Sequence, residues 1–193
     1  MIRLFILVVI VLLYFMVKPK NVYSVAHDLA IHFLNTINPQ PNFAVMFDID
    51  DTLISLKDKP IKPIIKLVGE CNKRGIKVLI LTARDSVYTQ ETVQDLIDNG
   101  IYPNFENYKI PKTAVYYDYL YLRKSPQDNH ELFKSNVKER FAKNGIHVIM
   151  SIGDNDIDVV GKYSGYAIKL PNTHDPRLFH KDNTLRMVQV KVI

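Results

Sequence analysis

Three helix-patterned stretches in this chain, residues 64–74, 86–99 and 130–144, each stop at a glycine followed by an isoleucine: Gly75-Ile76, Gly100-Ile101 and Gly145-Ile146. A left-handed C-terminal cap with an apolar contact just beyond it calls for that pair. Two of the stretches run straight into β-rich segments, 77–81 and 147–152. Residues 43–47, 114–122 and 166–170 read as further strands, and residues 22–37 as a helix closed by Pro39 and Pro41. Strands that alternate with helices imply βαβ units. Runs such as Val78-Leu79-Ile80-Leu81 are apolar on both faces, as strands covered by helices on each side must be. The expected fold is therefore a doubly wound α/β domain with a mainly parallel, Rossmann-like sheet. With 193 residues, 47% of them hydrophobic, one such domain can bury a sizeable core.

Ahead of that domain stands an unbroken apolar run at residues 4–17, with Arg3 before it and Lys18 and Lys20 after it. As a helix it would rise about 21 Å against a hydrocarbon core of about 30 Å, short for a span and typical of a signal-peptide core. Small residues suited to cleavage, Ser24 and Ala26, come only after Pro19 and two lysines. The expectation is an N-terminal hydrophobic helix acting as an uncleaved signal-anchor over residues 1–20. Residues 21–193 then form the folded domain, membrane-associated, or secreted if the segment is removed. The single cysteine, Cys71, excludes an intramolecular disulfide, and the net charge of +5 comes from scattered lysines and arginines rather than a basic block.

The chemistry-bearing residues fall where strands should end. Asp48, Asp50 and Asp51 follow the apolar run 43–47, Thr82 follows Leu81, and Asp154, Asp156 and Asp158 follow Ile152. Two unit charges about 4 Å apart repel by about 4 kcal/mol at an effective dielectric near 20, so such a cluster needs a cation or a proton. Ligands of open α/β sheets bind at the carboxyl ends of the strands. Asp48 and Asp50 are one residue apart and point to the same side while the chain is extended, which suits one to attack and the other to move protons.

These motifs resemble the haloacid dehalogenase (HAD) superfamily of phosphatases, and within it the subfamily IIIB acid phosphatases that include plant vegetative storage proteins and class B bacterial enzymes. The resemblance spans residues 22–178. It is carried by Asp48-Ile49-Asp50-Asp51-Thr52, Leu79-Ile80-Leu81-Thr82-Ala83-Arg84, Gly153-Asp154 with Asp158, Phe133-Lys134-Ser135 and Lys169-Leu170-Pro171-Asn172. It implies a HAD-like fold and phosphomonoester hydrolysis through an aspartyl-phosphate. Asp48 would be the nucleophile and Asp50 the general acid and base. Mg2+ would be held by Asp48, the main-chain carbonyl of Asp50, and Asp154. Thr82, the amide of Ala83 and Lys134 would hold the substrate phosphate, with Asp158 supporting Lys134.

Several residues carry a competing reading. Lys124 is an alternative to Lys134, which is favoured because its helix leads directly into the strand before Asp154. Asp51 reads as a turn residue, Asp156 as a helix-starting carboxylate, and Arg84 as a salt bridge beside a helix cap rather than a catalytic group. The run 154–158 starts like a calcium loop but has Val159 where glycine is needed and Gly165 where glutamate is needed. The spacing between Asp50, Thr82 and Lys134 leaves no room for a large cap. The expected partners are a phosphomonoester, a membrane through residues 4–17, and a second copy in a homo-oligomer; nucleic acid is not expected. The alternatives are a phosphotransferase, a nucleic-acid 3'-phosphatase, and a binding or storage protein that keeps the fold without turnover.

Overall fold

The computed structural model describes residues 21–105, 108–124, 130–172 and 189–191. The apolar run 4–17 and the expected boundary at residue 20 lie outside the described residues; among those described, no helix is long and apolar enough to cross a membrane.

The fold is organised by β1 (Phe43–Phe47), which is apolar at every position and therefore needs cover on both faces. Its alternation provides it. Val45 and Phe47 point into one core cluster with Ala30 and Leu34 of helix α1 (Val22–Thr36) and Ile64 and Leu67 of α2 (Lys62–Lys73). Ala44 and Met46 point into a second cluster, with Val137 and Phe141 of α4 (His130–Lys143). The flanking strands β2 (Lys77–Asp85) and β6 (His147–Gly153) run parallel to β1, one on each side. With β5 (Tyr119–Arg123), β7 (Tyr166–Lys169) and β8 (Gln189–Lys191) they give the order β5-β2-β1-β6-β7-β8. The first five strands are parallel and β8 is antiparallel to β7. The expected doubly wound α/β sheet is observed.

Gly75, Gly100 and Gly145 all have positive φ, as the caps require, and the Ile76 and Ile146 amides close back onto Cys71 and Phe141. Two expectations need correction. The run 114–122 is not one strand. It divides at Asp118 into β4 (Val115–Tyr117), which pairs with β3 (Ile101–Pro103) in a separate two-stranded sheet, and β5 at the edge of the main one. The cause is the Asp118 side chain, which accepts the Val78 amide at 2.8 Å and the Asn104 side-chain amide at 2.9 Å, taking a place that a continuous strand would fill with backbone. The helix expected over 86–99 starts later. The Asp85 carboxylate accepts the Val87 amide and holds a 3₁₀ turn at Ser86–Tyr88, so that α3 (Thr89–Asp98) begins only beyond it.

α1 lies antiparallel to the strands. Phe33 near its C-terminus stacks on Tyr166, the first residue of β7, with ring centroids 4.5 Å apart. Arg74, just before β2, donates to the Leu34 carbonyl at 3.0 Å. Its N-terminus, capped by the Asn21 side chain, therefore stands at the carboxyl end of the sheet. At that same end β6 finishes in Gly153, where a Cβ would lie 2.3 Å from the Cβ and Oδ2 of Asp158. Gly153→Ala is expected to destabilise the protein by about 1–3 kcal/mol, read from the urea midpoint, because the short helix α5 (Asp156–Val159) has to move to admit the methyl group.

Candidate active site

Between β1 and β6 the winding of the sheet reverses direction, since the chain runs outward from β1 through β2 to β5 and then returns to β6 on the far side. The strand ends diverge there and leave a crevice. Asp48 leaves β1 with its amide donating to the Ile152 carbonyl of β6 at 3.0 Å, and Asp154 leaves β6 directly opposite. The carboxylates of Asp48, Asp154 and Asp158 come together so that one oxygen from each lies within 4.8 Å of the others, and all three residues are buried. A cavity of about 200 Å³ opens beside them, lined in part by Asp50, Ala83, Lys134 and Asn155.

Lys134 is the cation of this cluster. It is only 2% exposed, and its Nζ donates to Asp48 Oδ1 and Asp158 Oδ1, both at 2.5 Å. Lys124 is exposed and borders a different cavity, beside β5 and α4. Burial alone would push the Lys134 ammonium down, but Asp48 and Asp158 outweigh it and hold the amine protonated above the usual lysine range. Burial pushes the Asp48 carboxyl well up; Lys134 offsets part of this, and Asp158 and Asp154 add to it. Asp154 is pushed up to about 6, first by burial and then by Asp158. Three carboxylates sharing one ammonium remain short of positive charge.

The donor set suits a hard divalent cation, since it offers carboxylate oxygens and no sulfur or imidazole. Asp158 is already committed, with Oδ1 to Lys134 and Oδ2 to the Asn155 amide at 2.9 Å in the capping box of α5. Asp154 accepts the side-chain amide of Asn155, at 3.1 Å to each oxygen. Asp48 and Asp154 are thus the carboxylates with oxygens to spare.

The remaining expected residues divide. Asp50 lines the cavity, but its carboxylate is held by Arg84, with Nη2 at 2.8 Å and Nε at 3.1 Å. Ala83 is in the cavity wall. Thr82 is fully buried, and its hydroxyl accepts the Arg84 amide at 3.2 Å. Asp51 is a turn residue with φ of 52°, its side chain accepting the Leu56 amide at 3.2 Å.

Three further cations surround the cluster: Arg84, which forms a salt bridge as expected but with different partners, Lys169, which was expected only as part of a motif, and Lys138, which the sequence did not single out. Arg84 bridges Asp50 to Asp95, at 2.7 Å from the latter. Lys138 is fully buried, donates to the Asp158 carbonyl at 2.9 Å and Ser164 Oγ at 2.6 Å, and is pushed down to about 8 by burial. Lys169 donates to the Asp154 carbonyl at 2.5 Å. A signal existed for Lys138, which stands one helical turn beyond Lys134 and so on the same face.

The profile of the HAD superfamily, subfamily IIIB (Acid phosphatase), matches residues 55–175. The chain belongs to that family. The match includes Thr82, Ala83, Lys134, Asp154 and Asp158, while Asp48 and Asp50 stand just ahead of it and join this HAD acid-phosphatase site through the sheet. The fold is similar to two solved structures of the class C acid phosphatase from Bacillus anthracis. One is 15% identical with a TM-score of 0.50; the other, with tungstate bound, is 13% identical with a TM-score of 0.54. Each comparison covers 72% of this chain and 64% of the other, so the match spans less than two-thirds of the length of those solved structures. No curated protein matches the sequence.

Lys134→Met is expected to cost about 3–5 kcal/mol in urea unfolding at neutral pH, because it leaves buried carboxylates unpaired, whereas Lys124→Met on the surface should change stability by less than about 0.5 kcal/mol. A pH dependence follows from Asp154. Its folded value of about 6 lies above the ordinary 3.8, so the folded protein keeps a proton that the unfolded chain releases. That contribution is fully present below the ordinary value and is lost as pH rises through 6. The metal-free urea midpoint should fall over this window, and Asp154→Asn should flatten the fall.

Proposed function

We propose that this chain is a Mg2+-dependent phosphomonoesterase working through an aspartyl-phosphate on Asp48. The observation that carries the reading is the buried contact of Asp48 with Lys134 and Asp158 at the reversal point of the sheet, beside a cavity that also reaches Asp50. Family membership supports it, as does the oxyanion tungstate bound to the structurally similar class C acid phosphatase.

The mechanism divides the reaction into two displacements. Lys134 engages Oδ1 of Asp48, which leaves Oδ2 to attack phosphorus. The bond to the leaving oxygen breaks as the new P–O bond forms, and Asp50 supplies the proton that converts the departing alkoxide to an alcohol. Asp50 then takes a proton from water, whose oxygen attacks the aspartyl-phosphate, releasing inorganic phosphate and restoring the Asp48 carboxylate. The amide of Ala83 and the ammonium of Lys134 hold phosphoryl oxygens, with Thr82 shaping the strand end behind them. Asp158 positions Lys134. Asp50 has to turn out of its pair with Arg84 to reach the leaving oxygen, and Arg84, tied on its other side to Asp95, fixes the resting place from which it turns. Asp48, Asp154 and the Asp50 carbonyl would hold Mg2+, which neutralises carboxylate and phosphate charge.

Asp48→Asn is expected to lower p-nitrophenyl phosphate turnover by roughly 10⁴-fold or more while leaving the urea midpoint at or above that of the parent, since a buried charge is removed. Chelation of divalent ions should abolish turnover, and Mg2+ should restore it. Undiminished hydrolysis by the Asp48→Asn protein would refute the covalent route.

A further inference from the structure

Exposed apolar side chains are unevenly spread over this molecule. Of the seven large hydrophobic residues exposed in the described segments, Leu56, Val87, Tyr88, Leu132 and Val160 stand at the carboxyl end of the main sheet, while Phe105 and Tyr108 follow β3, beside the starts of β2 and β5. Leu56 follows β1, Val87 and Tyr88 follow β2, and Val160 follows β6 and α5. Leu132 lies in the first turn of α4, whose last turn feeds the start of β6. The connections that enter the amino ends of the central strands are polar: Asn38, Gln40 and Asn42 lead into β1, Arg74 into β2 and Asn144 into β6. The candidate cavity belongs to the apolar end, for Leu56 is 53% exposed and forms part of its wall. Exposed Lys57, Lys59, Lys124 and Lys162 stand among these residues, offset in part by Asp58 and Asp156.

The chain enters the fold at the same end. Because α1 runs antiparallel to the strands, Asn21 and Val22 are at the carboxyl side. Tyr23 is close enough to the site that, after burial, the charges of Asp51 and Asp154 hold its phenol above the ordinary range. Only Lys18, Pro19 and Lys20 separate Asn21 from the apolar run 4–17, and four Cα steps reach at most about 15 Å. A run of that composition inserted in a bilayer would hold the mouth of the cavity near the headgroups. Exposed apolar side chains mixed with lysines are what a surface resting on anionic lipid requires.

We propose that the carboxyl-end face of the sheet rests against a membrane, and that the site takes phosphomonoester headgroups displayed by lipids in that membrane. The inference rests on the phosphatase reading and adds the substrate class to it.

The test uses the full chain reconstituted in phosphatidylcholine vesicles containing a diacyl lipid with a phosphate monoester headgroup. Inorganic phosphate release is compared with that from a water-soluble short-chain analogue of the same headgroup and from p-nitrophenyl phosphate. The expected kcat/KM is at least about tenfold higher for the vesicle lipid than for its short-chain analogue. The double variant Val87→Asp, Tyr88→Asp, which touches neither the cavity nor the carboxylate cluster, should lose that preference and keep p-nitrophenyl phosphate turnover. Turnover of soluble esters with no preference for the vesicle lipid, or a preference that survives in the double variant, overturns the membrane assignment alone. Failure to hydrolyse any of the three substrates overturns the phosphatase reading beneath it.

Discussion

The contact on which the site depends is that of one ammonium with two carboxylates, Lys134 with Asp48 and Asp158, in a place that water hardly reaches. Desolvating three charged groups is costly, and their mutual attraction repays this only when every donor and acceptor is used. Much of the surrounding structure serves that requirement. The capping box of α5 occupies the second oxygen of Asp158, and Lys138 and Lys169 donate to the carbonyls of Asp158 and Asp154. Gly153 has no side chain because Asp158 stands where one would be. The cluster nevertheless stays short of positive charge, with three carboxylates against one ammonium, and burial followed by their mutual repulsion raises the Asp154 carboxyl. A site whose own residues leave that deficit is one that a divalent cation can complete.

Most of the fold could be read from the chain because its determinants are local. In this chain each glycine followed by isoleucine ends a helix, and a run such as Phe43-Ala44-Val45-Met46-Phe47 has no solvent face to offer. The convergence of Asp48 and Asp154 was legible for a related reason, whereas the place of Lys134 came from the resemblance to the family. In a doubly wound sheet the ends of adjacent strands are neighbours by topology, so residues placed just after two strands meet without any long-range information. What escaped depended on a single side chain reaching across the fold. Nothing in the sequence around Asp118 says that its carboxylate will accept an amide from β2 and so break a strand. Nothing around Arg84 says that its guanidinium will turn towards Asp50 and Asp95 rather than towards its neighbours Asp85 and Ser86.

That arginine changes how the pair of aspartates after β1 is understood. Spacing alone makes Asp48 and Asp50 equivalent, since both follow one strand and point to one side. Their surroundings separate them. Asp48 is buried against Lys134, while Asp50 is half-exposed and gripped by a guanidinium that is itself tethered to α3. A nucleophile gains from being held rigidly, whereas a group that delivers a proton and later recovers one has to move between two partners. Burial and ion pairing thus give the two carboxylates different settings, which match the roles proposed for them.

The same contrast runs through the molecule at larger scale. The amino end of the sheet is closed by polar connections and by hydrogen bonds such as that from Asn42 to the Gly145 carbonyl. The carboxyl end gathers the costly features: buried charge, a left-handed turn at Asp51, and apolar side chains left in solvent. Stability alone would favour none of these at either end. On the proposed reading a divalent cation offsets the carboxylates at the bottom of the crevice, and a partner that brings a phosphate to that cation and an apolar surface to the rim accounts for where these features occur. A phosphate ester carried on a lipid has both properties in one molecule. A small soluble ester has only the first, and leaves Leu56, Val87 and Tyr88 in solvent.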